Sequence, residues 1–139
     1  MKKRVIGIGG IFFKCKDPDT TREWYGKHLG LVTNPYGSTF EFRNAERPDE
    51  KNFLQWSTFK EDSDYMDPGK ADFMVNYRVE DLEELIKELK EEGVKVLGEI
   101  ATYDYGKFAH IMDPEGNKIE LWEAFNEEYE KMGGGKTTK

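Results

Sequence analysis

The sequence predicts an α+β domain made of two tandem modules, each with the element order β-α-β-β-β. Three observations carry this prediction. Most apolar segments are short and alternate with period two, as half-buried strands do. Two segments have helical spacing and begin at an aspartate suited to capping. Finally, the second half repeats the first in register: a shift of 64 lays GIFFKCKD (residues 10–17) over MVNYRVED (residues 74–81), and a shift of 65 lays NFLQW (residues 52–56) over NKIEL (residues 117–121). One inserted residue between the two registers is what a duplicated module with loop drift produces.

Residues 4–16 read as a strand rich in Ile, Phe and Val. Asp17 then supplies an N-cap and Pro18 a first helical residue, with Trp24, Tyr25, His28 and Leu29 at helical spacing and Gly30 as terminator. Trp24 and Tyr25 are expected in the core, and His28 on the surface near the negative end of the helix dipole. Extended pieces follow around residues 31–35, 38–44 and 52–59, and the polar stretch KEDSDYMDPGKAD is a loop. FMVNYRV is the first strand of the second module. DLEELIKELKEEG is an amphipathic helix with a capping box from Asp81 to Glu84, an apolar stripe of Leu82, Leu85, Ile86 and Leu89, and a terminal Gly93. VKVLGEI, KFAHIMD and NKIELWEA complete the set, with DPEGN as a hairpin turn rather than a calcium loop. The expected organisation is one domain over residues 1–124, with module one at about 4–60 and module two at about 70–124. A short helix and a disordered GGGKTTK tail fill 125–139.

With 139 residues, 37% of them hydrophobic, the chain is long enough for one core. A net charge of -7 argues against nucleic acid or an anionic membrane as partner, because both select clustered Lys and Arg. The apolar run after MKKR is short, glycine-broken and without a cleavage site, so it reads as strand rather than signal peptide. No run reaches the roughly 20 apolar residues of a membrane span. Cys15, the single cysteine, permits no intrachain disulfide and fits a reducing cytoplasm. It is expected to face a helix and be inert.

Strand periodicity places Gly10, Phe12 and Lys14 on one face and Ile11, Phe13 and Cys15 on the other, helix-covered one. It likewise groups Met74, Asn76 and Arg78 against Val75, Tyr77 and Val79. His110 and Glu120 lie on strands joined by the DPEGN turn, on one side of the sheet.

GIGGIFFKCKDPDTTREWYGKHLGL, FMVNYRVEDLEELIKELKEEGVKV and FAHIMDPEGNKIELWEA resemble the vicinal oxygen chelate superfamily, which includes glyoxalase I, extradiol dioxygenases, and fosfomycin and bleomycin resistance proteins. The resemblance covers roughly residues 4–124, and its most specific parts are the end of the first helix and the DPEGN hairpin. It implies curved mixed sheets around a cavity, commonly in a homodimer, and a divalent metal held at four inward positions. Those positions fall on Gly10, Gln55, Met74 and Glu120, of which Glu120 alone is a usual ligand.

Glycine has no donor, methionine is a soft thioether and glutamine a neutral amide, so this set is a poor cage for a divalent ion. The expectation is therefore no standard metal cofactor, with metal-dependent glyoxalase I and extradiol dioxygenase activity disfavoured. An atypical divalent site of Glu120, His110 and Gln55 stays open. So do His110 as a cavity-lining ring and His110 with Glu120 as an acid–base pair. Lys14 and Arg78, at equivalent places in the two modules, are candidates for binding an anion; the alternative is that each pairs with a nearby acid or reaches solvent. Asn76, Gln55 and Ser57 offer hydrogen bonds, and Phe12, Phe53, Met74, Phe108, Met112 and Trp122 offer walls, with Gly10 leaving room. The function expected is that of a cytoplasmic, homodimeric protein binding a small, possibly anionic molecule without the usual metal; the alternatives are a glyoxalase-related lyase or isomerase using Glu120 and His110 with an atypical metal site, and a bleomycin-resistance-like sequestration protein.

Overall fold

A computed structural model describes residues 3–134. The first half runs β1 (Val5–Cys15), α1 (Pro18–Leu29), β2 (Thr33–Asn34), β3 (Gly37–Arg43) and β4 (Lys51–Lys60). The second runs β5 (Phe73–Val79), α2 (Leu82–Glu91), β6 (Val96–Tyr103), β7 (Gly106–Met112) and β8 (Lys118–Ala124). A four-residue α3 (Asn126–Tyr129) passes into a single π turn, Glu130–Gly134. From residue 135 on, the expected tail lies outside the described residues.

All strands belong to one eight-stranded curved sheet, ordered β2-β3-β4-β1-β5-β8-β7-β6. Within each half the first and last strands pair in parallel, Gly10 opposite Gln55 and Asn76 opposite Glu120. The halves are joined through β1 and β5, which run antiparallel from Val5 opposite Val79 to Phe13 opposite Phe73. The modules therefore meet within one chain, at the middle of the sheet.

Both helices start as the caps dictate, with Asp17 accepting from Thr20 N–H at 3.2 Å and Asp81 from Glu84 N–H at 3.3 Å. α2 buries Leu82, Leu85, Ile86 and Leu89 on Val79, Ala109 and Leu121, the main apolar core. α1 has no buried residue. Trp24, expected in the core, is 52% exposed and lies against His28, ring centroids 5.0 Å apart. The contact between α1 and the sheet is instead made by Tyr25 on Trp56 (4.8 Å) and Phe13 (6.3 Å). Because α1 leans over β4, Ile11, expected under a helix, is exposed as well.

Two register shifts, at Val5/Gly7 and Ile8/Gly10, insert extra residues into β1. The second shift turns Gly9 toward the inner face, where an added Cβ would come within 2.2 Å of Asn76 Oδ1 and 2.9 Å of Arg78 Cγ. Only glycine allows β5 side chains to lie this close to β1.

Candidate functional site

Glu120, on β8, is 2% exposed and sits among three donors from separate elements. Asn76 Nδ2, one strand away on β5, donates to Oε1 at 2.7 Å. His110 Nε2, opposite on β7, lies 2.8 Å from Oε2, and the Tyr65 hydroxyl donates to the same oxygen in a short contact. The DPEGN turn sets this geometry. Asp113 accepts from the Glu115 and Asn117 N–H groups, which fixes the hairpin so that His110 and Glu120 face each other. The His110 side chain is 20% exposed, so the pair joins a buried carboxylate to a reachable imidazole.

Tyr65 and Met66 belong to the loop between the halves, and sequence reasoning missed both. The Tyr65 ring stacks on Phe59 at 5.6 Å and meets His110 edge-on at 5.6 Å. Lys118 Nζ lies 5.1 Å from the centre of that ring and donates to the Tyr65 carbonyl at 2.6 Å. Burial of the hydroxyl, then the nearby Glu120 charge, pushes the Tyr65 pKa well above its ordinary value, so the phenol stays a donor. Burial also lowers the Lys118 pKa, against the pull of Glu120. Met66 packs with Phe12 and Met74 into a small apolar cluster. The available signal was compositional: a Tyr-Met pair in an otherwise polar stretch.

The other end of the inner face belongs to Arg78. It is 2% exposed, with Nη1 donating to the Phe53 carbonyl at 3.0 Å and Nη2 to Asn126 Oδ1. Its guanidinium lies 5.0 Å from the Trp122 ring centre and 5.8 Å from that of Phe42. Burial lowers its pKa to about 10, against the charges of Glu50 and Tyr129, so it remains a cation at neutral pH. Tyr129, on the C-terminal segment, packs on Phe53 and Trp122, and its hydroxyl donates to Gln55 Oε1 at 2.5 Å. Phe108 stacks on Trp122 at 5.6 Å.

Three expectations change here. Lys14 and Arg78 are not brought together: β1 and β5 are antiparallel, so Arg78 lies opposite Gly7 while Lys14 lies beyond the Phe13–Phe73 pair, about 20 Å away along the strands. Equivalent residues of two modules joined antiparallel fall at opposite ends of the joint. Gly10 leaves no room, because the Phe12 ring already stands where its Cβ would be, 2.6 Å from the Cζ atom. Gln55, rather than facing Glu120, bonds Thr39, Tyr129, Ser57 and the Tyr36 carbonyl. Asn76 is the predicted polar residue that does reach Glu120.

The four inward positions do not fit a hard divalent ion. Gly10 has no donor, Met74 is walled in by Phe12 and Met66, Gln55 is spent on its neighbours, and the Glu120 carboxylate is occupied by three donors. No cluster of three or more His, Cys, Asp or Glu suited to a metal occurs among the described residues. Two open clefts are lined by Lys16, Asp17, Pro18, Lys60 and Asp62 and by Arg22, Thr58, Phe59 and Ser63; neither lining includes His110 or Glu120. No helix among the described residues is long and apolar enough to cross a membrane.

Residues 7–121 match the family model described as the glyoxalase/bleomycin resistance protein/dioxygenase superfamily. Among solved structures, the chain is similar to methylmalonyl-CoA epimerase from Mycobacterium tuberculosis, at 23% identity and a TM-score of 0.58, covering 89% of this chain and 91% of that one. It is also similar to a member of the same superfamily from Vibrio splendidus 12B01 (15% identity, TM-score 0.52, covering 84% and 97%). A third likeness is to the Mn(II)-bound glyoxalase from Novosphingobium aromaticivorans (18% identity, TM-score 0.56), where it covers 86% of this chain and 39% of that one. A search of curated proteins found no match.

Proposed function

The chain belongs to the glyoxalase/bleomycin resistance protein/dioxygenase superfamily, and from that premise we propose a lyase- or isomerase-type enzyme that moves a proton on a small molecule through His110, without a metal in the four-position cage. The observation that supports this reading is the 2.8 Å contact between His110 Nε2 and buried Glu120. A carboxylate on Nε2 selects the tautomer that leaves the Nδ1 lone pair for a ligand. Nδ1 then takes a proton from a C–H next to a carbonyl and returns it, on the same face, to another position of the enolate. Glu120 acts through His110 and is a positioning residue. Asn76 and Tyr65 hold the carboxylate in place, while the partly exposed His110 ring stays open to a ligand.

The test is deuterium incorporation from D2O at the α-carbons of a panel of small carbonyl compounds, followed by NMR. Wild type should catalyse exchange, and His110→Asn should lose about 100-fold. Exchange that His110→Asn leaves untouched sinks the proposal. A second reading, sequestration without chemistry, is favoured by the stacked rings of Phe108 and Trp122, which offer an aromatic surface to a flat ligand. Saturable binding of a panel compound with no exchange would select it.

We also propose a cytoplasmic homodimer. Val5, Ile8 and Ile11 on β1 and Phe73 on β5 leave exposed apolar surface at the middle of the sheet. Light scattering at twice the chain mass supports this, and a monomer removes it.

A further inference from the structure

We propose that one edge of the Arg78 guanidinium is a subsite for a small carboxylate ligand, and that Asn126 and Tyr129 of the C-terminal segment cover it until the ligand displaces them. Buried cations are ordinarily paired with an anion. Arg78 has no carboxylate on it: Nη1 meets the Phe53 carbonyl, Nη2 meets Asn126 Oδ1, and Nε has no hydrogen-bond partner among the described residues. Nε and Nη2 share the edge on which a carboxylate makes two parallel hydrogen bonds. Asn126 brings a single neutral oxygen to that edge and leaves half of it unmet.

Glu50, the acid whose charge reaches Arg78, is committed elsewhere. Its Oε1 accepts from Asn52 at 2.8 Å and from Asn126 at 3.5 Å, and its Oε2 from Arg47 at 2.8 Å. The remaining surroundings suit a short organic anion: aromatic rings at Trp122 and Phe42, and the Cβ-free backbone of Gly9. The cover is short. α3 has four residues and no side-chain cap, and beyond Asn126 it is held by one side chain, Tyr129, through its hydroxyl and its packing on Phe53 and Trp122, and by an exposed Lys51–Glu130 pair at 3.2 Å. Arg78 stands two residues along β5 from Asn76, so a bound carboxylate sits about 7 Å along the sheet from the Glu120 pair.

This rests on the reading of the inner face as a small-molecule site and adds the ligand's charge. The experiment titrates propionate, and propionamide as its neutral counterpart, into the full chain, following the Arg78 Nε–H and Asn126 side-chain amide signals by NMR. Propionate should shift both saturably and propionamide neither. Asn126→Ala, which removes the competing oxygen, should tighten propionate about 5-fold. Asn126→Asp, which tethers a carboxylate at the same edge, should weaken it at least about 10-fold. Equal response to the amide, wild-type propionate affinity in Asn126→Asp, or no saturable shift in both wild type and Asn126→Ala overturns the proposal. Propionate bound at this edge without any catalysed exchange would retire the enzyme reading alone. Exchange without binding at this edge would retire the carboxylate subsite alone.

Discussion

α2 buries four side chains against the second half of the sheet, whereas α1, at the same place in the first half, buries none and leaves Trp24 and Leu29 exposed. The polar groups of the inner face differ in kind: the second half brings the ionisable Arg78, His110 and Glu120 with Asn76, whereas the first brings the neutral Thr39, Gln55 and Ser57. Equal element order thus coexists with unequal energetics. The second half holds buried polar groups beside a helix-backed core, which fixes their geometry. The first half is held largely from its edge, by the β1–β5 pairing and by rings from Phe13, Tyr25 and Trp56.

The sharpest way to break this contrast is to remove equivalent apolar mass from the two helices. Leu82→Ala, at a fully buried site, should cost about 3 kcal/mol in urea unfolding, and Leu29→Ala within about 0.5 kcal/mol. Equal costs would mean that α1 is buried in the assembled protein. The two covering tyrosines give a finer comparison. Tyr65→Phe removes a bond to a carboxylate and should cost about 2 kcal/mol, whereas Tyr129→Phe removes one to the neutral Gln55 amide and should cost about 1 kcal/mol. The reverse order, measured by the same unfolding curves, would show that the Glu120 cluster is looser than its hydrogen bonds indicate.

The smallest effect concerns pH. The Thr20 N–H, then its hydroxyl, holds Asp17 below the ordinary carboxylate range, and the Asn117 N–H, then its side chain, does the same for Asp113 in the second half. With the folded pKa depressed, each stabilising contribution is complete above the unfolded value and is lost as pH falls through the folded one. Thermal melts from about pH 5 downward should therefore show a shallower acid loss in Asp17→Asn than in wild type, because the amide keeps the cap without titrating. Parallel curves would remove Asp17 from the acid response.

Much of the fold was legible in local patterns. The caps at Asp17 and Asp81, the α2 stripe and the DPEGN turn are each written within a few residues, and each forms as its pattern dictates. The facing of His110 and Glu120 was legible for the same reason, since a short hairpin fixes which residues oppose one another. Tyr65, Asn126 and Tyr129 were not. Tyr65 lies in a loop and Asn126 and Tyr129 in a short helix after the last strand, and no local rule orients either segment onto the inner face.

The sequence by itself determined the element order, the caps, the turn and the alternation that puts Asn76, Arg78 and Glu120 on one face, because these depend on bonds and side chains near in the chain. Tertiary structure alone decided how the modules meet. The antiparallel joint of β1 with β5 parts Lys14 from Arg78, the bulge at Gly9 admits Asn76 and Arg78, and the inter-module loop and C-terminal segment fill the space beside Gly10 and Gln55. Such outcomes depend on which distant surfaces exclude water together, a property of the whole packed chain rather than of any stretch of it.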